Sequence, residues 1–167
     1  PTADRKALAD VALTAAKGAG ASYADVRIGR YLNQFINGRE TKIQNVVNTE
    51  SFGVGIRVIA NGTWGFAATQ DVTPDGVSRA AQQAVAIAKA NRVARDRSVT
   101  LAPTQAFPNA SWKSDFTTDP FEVPLEQKVD LLLKANAEAM KVPGVKFVNS
   151  ILFFVKQERQ FASTEGS

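Results

Sequence analysis

The stretch S-F-G-V-G-I-R-V-I-A-N-G-T-W-G-F-A-A-T-Q-D-V-T-P, Ser51 to Pro74, constrains the fold more than any other part of this chain. It reads as a strand, an Asn-Gly turn, a second strand and the start of a helix. Asn61-Gly62 marks a tight hairpin, because both central residues of such a turn take positive φ. Gly53, Gly55 and Gly65 interrupt the flanking strands. Glycine inside a strand gives up side-chain packing, so it marks a bulge or a close approach by another backbone. The stretch therefore predicts an antiparallel pair against which something extended can lie.

The neighbouring segments extend this pattern. Leu8, Val11, Ala12, Ala15 and Ala16 recur at helical spacing and predict a helix over roughly 4–17, stopped by Gly18 and Gly20. Tyr23 to Leu32 alternates, with Ala24, Val26 and Ile28 on one side and Asp25 and Arg27 on the other. Asn37-Gly38 predicts a first hairpin, with a return strand over 40–47 and a third strand over 52–60. Thr63 to Thr69 is the fourth strand. Thr73-Pro74 then opens a helix, Thr as cap and Pro in the first turn, with an alanine-rich stripe running to Ala88.

Residues 98–124 hold four of the seven prolines and read as an extended connector that wraps the surface or meets a partner. A last helix is expected over 125–141, with Leu125, Val129, Leu132, Leu133 and Met140 inward. A strand pair over 145–156 and 159–164 follows. The fold class is α+β: a mostly antiparallel sheet with helices packed on one face, in the order α-β-β-β-β-α-α-β-β. The 167 residues are read as a single domain.

Composition narrows the chemistry. The chain has no Cys and no His. A disulfide, a Cys- or His-ligated zinc site and a His-dependent triad are therefore all impossible within it. Any general acid or base would have to be Asp, Glu, Lys or Tyr. Neither a catalytic nor a metal-binding residue is predicted. The net charge of +4 comes from interspersed charges and mostly describes a solvated surface. No apolar run is long enough to span a membrane.

Several groups have both a plain and a functional reading. Lys89, Arg92, Arg95 and Arg97 cluster at a helix end, where cations complement the helix dipole. Nucleic-acid binding is disfavoured, because no second basic stripe or interleaved aromatics accompany them. The glycines do not form a phosphate loop, since no helix N-terminus follows Gly53 and Gly55 directly. Asp25, Arg27 and Arg57 occupy polar-facing strand positions and are expected to pair across the sheet or meet solvent; anchoring a substrate terminus is the functional alternative. Trp64 is expected to pack on the sheet, and Trp112 to pin the connector or meet a partner. The candidate peptide-facing positions are Gly53, Gly55, Arg57, Trp64 and Gly65, on strands that could accept an extended peptide.

The motifs Y-A-D-V-R at Tyr23–Arg27, G-V-G-I-R-V at Gly53–Val58, G-T-W-G-F-A-A-T at Gly62–Thr69, and T-P-D-G-V-S-R-A-A-Q-Q-A-V from Thr73 stand in an order that resembles the N-terminal domain of the TldD/PmbA family, once called modulators of DNA gyrase. The terminal F-A-S-T-E-G-S resembles that family's Ser-x-Gly segment, and the resemblance covers about residues 7–167. It implies a zinc metallopeptidase of peptides or unfolded proteins, working as a homodimer or heterodimer. The zinc motif of the family lies beyond this domain. No ligand maps onto this chain, which is expected to be inactive alone and to help form a substrate chamber or dimer surface.

Two alternatives are a non-catalytic peptide-binding module and a nucleic-acid or gyrase-associated module. The resemblance implies a cytoplasmic protein, or a periplasmic one after removal of a twin-arginine leader. A start at Pro1 and a stop in a strand-to-turn sequence lead to the expectation that protein precedes or follows.

Overall fold

A computed structural model describes residues 4–94 and 96–166. Arg95 of the basic cluster, Ser167 of the terminal motif and the first three residues lie outside the described residues. The elements are α1 (Arg5–Gly18), β1 (Tyr23–Arg39), β2 (Lys42–Ala60), β3 (Thr63–Thr69), α2 (Pro74–Asn91), α3 (Leu125–Met140) and β4 (Asn149–Ser163). The strands form one four-stranded antiparallel sheet in the order β3-β2-β1-β4. The class is α+β, as the periodicities indicate. Residues 98–124 hold neither helix nor strand.

Caps and turns explain most boundaries. Asp4 accepts hydrogen bonds from the Lys6 and Ala7 amides and so caps α1. Thr73 Oγ1 accepts from the Gly76 amide, and Pro74 occupies the first turn of α2. Asn61 and Gly62 take φ of 50° and 74° and join β2 to β3. In that hairpin Val54 lies opposite Thr69, Arg57 opposite Phe66 and Ala60 opposite Thr63.

The first hairpin departs from expectation. Asn37 and Gly38 lie inside β1, and the chain turns at Glu40-Thr41, with Glu40 at φ 53°. Space at Gly38 is tight. A Cβ there would come within 3.1 Å of both Leu132 Cδ2 and Ser150 Oγ. With the turn moved, the expected return and third strands are one continuous β2. The expected terminal strand pair is likewise one strand, β4. Six expected strand segments are thus four long strands.

The chain divides into two compact units. The first comprises Pro1–Arg30, Phe52–Trp112 and Glu158–Ser167. Its core sets Leu8, Ala12 and Ala16 of α1 and Val77, Ala81, Ala84 and Val85 of α2 against Val26, Ile28, Ile56 and Val58 of the sheet. Small residues let α2 come close. A Cβ on Gly65 of β3 would stand 2.0 Å from the Ala84 carbonyl oxygen and 2.6 Å from the Ala88 amide nitrogen. Thr63 Oγ1 donates to the Ala88 carbonyl, and Asn91 Nδ2 donates to the Trp64 carbonyl at 2.9 Å.

The second unit comprises Tyr31–Ser51 and Lys113–Gln157. Here α3 buries Lys128, Leu132 and Asn136. Leu125, expected inward, is 41% exposed. The buried face is polar because its partners are polar. Lys128 Nζ donates to Gln34 Oε1 at 2.5 Å, Gln34 Nε2 donates to Asn48 Oδ1 at 2.8 Å, and Asn136 Nδ2 donates to the Glu40 carbonyl at 3.0 Å. Lys128 also lies over the Phe154 ring, 5.0 Å from its centroid.

Candidate functional site

Alternation along the strands sorts the sheet of the first unit into two faces. Val54, Ile56 and Val58 of β2 face the helices, together with Ala24, Val26 and Ile28 of β1. The intervening residues Asp25, Arg27, Gly53, Gly55 and Arg57 therefore share the other face, away from α1 and α2. Trp64 and Phe66 of β3 join them, and Phe161 of β4 lies against Arg27.

Asp25 is the centre of this face. It is fully buried, and both carboxylate oxygens are engaged. Oδ1 accepts from Arg27 Nη1 at 2.7 Å. Oδ2 accepts from Arg57 Nε at 2.8 Å and Nη2 at 2.7 Å, and from the Tyr23 hydroxyl at 3.0 Å. A buried carboxylate is costly unless it is paired and hydrogen-bonded, and here it is both.

The guanidinium groups are held from their other side by aromatic rings. Arg57 lies over Trp64, 4.7 Å from the centroid, and Arg27 over Phe161 at 5.2 Å. Tyr23 meets Trp64 edge-on, at 5.9 Å and 89°. Both Arg side chains stay partly open to solvent, 44% for Arg27 and 41% for Arg57.

The electrostatics follow from this packing. Burial, together with the hydrogen bond and negative charge of Asp25, pushes the Tyr23 hydroxyl above its ordinary value. Burial disfavours the charge on Arg57, but Asp25 and then Tyr23 together outweigh it and move the group upward. Tyr23 is therefore a neutral donor at physiological pH, while Arg57 is a fixed cation.

The five candidate positions do not all share this surface. Gly53, Gly55, Arg57 and Trp64 lie on the open face. Gly65 lies on the helix side, where α2 occupies the space beside it. A Cβ on Gly55 would meet the Phe66 ring at 3.3 Å, so that ring lies across the glycine. A Cβ on Gly53 would meet the Thr69 carbonyl oxygen at 3.0 Å. Sequence reasoning placed Asp25, Arg27 and Arg57 on one polar face but missed Tyr23, Phe66 and Phe161 as their surroundings. For Tyr23 and Phe66 the signal was present, in strand parity. Phe161 had none, because its strand neighbour was not legible. Trp112 is 86% exposed and takes no part in the face.

Residues 24–88 match the family model of PmbA/TldA metallopeptidase domain 1. The chain contains domain 1 of the PmbA/TldD family. This PmbA/TldD domain is 30% identical over 147 residues to a metalloprotease of Methanothermobacter thermautotrophicus, and 24% identical over 147 residues to one of Methanocaldococcus jannaschii. Each alignment covers 87% of the chain but only 30% and 32% of the relative, so the chain spans about a third of these proteins. Its fold is that of a Bacteroides thetaiotaomicron protein solved as a candidate modulator of DNA gyrase: TM-score 0.76, 16% identity, 100% of this chain and 38% of that one. TldE of Thermococcus kodakarensis shares it at a TM-score of 0.66 and 14% identity, over 95% of this chain and 35% of that one. The Asp25 cluster, Gly53, Gly55, Trp64 and Gly65 all lie on strands within the matched segment or, for Tyr23, directly beside it.

Proposed function

We propose that this domain is a non-catalytic wall of a larger metallopeptidase, contributing its open sheet face to a peptide chamber or to a dimer surface. The observation that carries this reading is the face built around Asp25, opposite α1 and α2. It presents held cations and aromatic rings, with Phe66 58% exposed, instead of the polar coat of an ordinary solvated sheet face. The names of the metalloprotease relatives support the reaction class.

The residues of this chain do not fit a zinc site. They include no His or Cys, and among the described residues no group of three or more acidic side chains could hold a metal ion. No catalytic step is assigned to them. Zinc ligands would belong to sequence outside this domain, and the partner would be a second copy or a related subunit. Among the described residues, no helix is long and apolar enough to cross a membrane. A cytoplasmic location is the reading adopted, with export behind a twin-arginine leader as the alternative that the reading frame upstream decides.

The test is Phe66→Ser in the full-length protein, at an exposed position where folding cost is small. Peptide cleavage or dimer affinity should fall while bound metal, measured by elemental analysis, stays constant. Unchanged cleavage and unchanged oligomeric state would overturn the reading.

A further inference from the structure

From the geometry of the Asp25 cluster we infer that Arg27 and Arg57 form a docking site for a peptide carboxylate. This inference rests on the proposal that the open face meets peptide, and it names the substrate class.

The argument starts from charge. One carboxylate, Asp25, lies between two guanidinium groups, so the cluster keeps one uncompensated positive charge. Asp25 has no exposure of its own and cannot be reached by a ligand cation. The guanidinium groups can be reached, each remaining partly open. A guanidinium carries five N–H donors. Asp25 engages one nitrogen of Arg27 and two of Arg57. The remaining edges are the donors available at this face.

Rigidity is the second element. Each long Arg chain is fixed by a buried anion at one edge and by a ring on its flat side, Phe161 or Trp64. Rotamer freedom that a surface arginine would lose on binding has already been given up. Planar forks held in this way suit bidentate recognition of a carboxylate. The exposed Phe66 ring beside Arg57 offers apolar contact to the rest of an extended peptide. The carboxylate could be an acidic side chain or a chain terminus.

The experiment uses the full-length protein and three versions of one peptide: a single internal Glu with a free C-terminus, the same peptide with Gln, and the same with an amidated C-terminus. Binding is measured by calorimetry, separately from cleavage. The Gln version, the amidated version or both should bind about tenfold more weakly, and which one does so identifies the source of the carboxylate. Arg27→Gln should abolish that discrimination, and Arg27→Lys should restore part of it. The thermal midpoint of each variant reports whether the fold survives. Equal binding of all three peptides, or discrimination that survives both Arg27→Gln and Arg57→Gln, would overturn the inference. So would single-stranded DNA binding that depends on these arginines where peptide binding does not. Absence of cleavage with carboxylate-dependent binding intact would count against the peptidase reading alone.

Discussion

Gly65→Ala isolates the close approach on which the first unit is built. The new methyl would stand 2.0 Å from the Ala84 carbonyl oxygen, 2.6 Å from the Ala88 amide nitrogen and 2.9 Å from the Ala88 methyl. Ordinary contact begins near 3.4 Å, so the backbone of α2 must retreat by about 1.4 Å. These are main-chain atoms of a helix whose buried residues run from Gly76 to Ala88, so no single side chain can swing aside. Overpacking of this kind costs about 3 kcal/mol, the upper part of the usual range. For a domain of this size the thermal midpoint should fall by about 6–12 °C. Circular dichroism on heating and a urea titration should agree, with the midpoint shifted and the slope kept. Gly18→Ala is the control. Nothing lies within 4 Å of its new methyl, in the last turn of α1, so it should stabilise by about 0.5–1 kcal/mol. Gly55→Ala should fall between the two, because the Phe66 ring 3.3 Å away can tilt. A Gly65→Ala midpoint within about 2 °C of the parent would refute the argument.

Asp25→Asn keeps the shape but leaves Arg27 and Arg57 facing each other without an anion; a loss of about 3 kcal/mol is expected in urea unfolding, the low end for a broken buried pair because both cations reach solvent. Tyr23, raised chiefly by burial and then by Asp25, stabilises the fold below the unfolded value near 10 and loses that contribution as pH rises through its folded value; tyrosinate absorbance should show one of the two tyrosines ionising late, and earlier in Asp25→Asn. Asp119 is lowered from 3.8 by its hydrogen bond from Lys156 and by the Phe121 amide, so its contribution is present above that value and fades as pH falls through the folded one. Asp119→Asn should therefore be less stable than the parent at neutral pH, and the gap should close in acid.

How much of this was legible depends on what each residue reports. Asn61-Gly62 and Asn37-Gly38 carry the same local preference, and only the first is a turn. A dipeptide reports backbone preference, but at Gly38 the deciding fact is α3 and β4 at van der Waals distance, which local sequence cannot show. In α3 the apolar count favoured Leu125 and Val129, yet Lys128 and Asn136 are buried, because β1 and the turn after it offer Gln34 and the Glu40 carbonyl.

The site fared better, because two strands read together fix which residues share a face. Opposed residues of an antiparallel pair share a face. A two-residue turn at Asn37-Gly38 running on into an unbroken β2 would set Asp25 opposite Glu50, one carboxylate against another. It would also pair odd positions with even ones, sending Val54, Ile56 and Val58 to the polar side of β1. The apolar sets Ala24, Val26, Ile28 and Val54, Ile56, Val58 can share a core only when even positions meet even ones. No unbroken two-residue turn meets that condition, whether at Asn37-Gly38 or at the observed Glu40-Thr41, so the hairpin takes up one residue out of step on the way to the hydrogen bond between Arg57 and Asp25. The carboxylate at the centre of the open face thus follows from the same parity that builds the core behind it, while the Phe161 ring against Arg27 depends on β4, whose place beside β1 no local pattern announces.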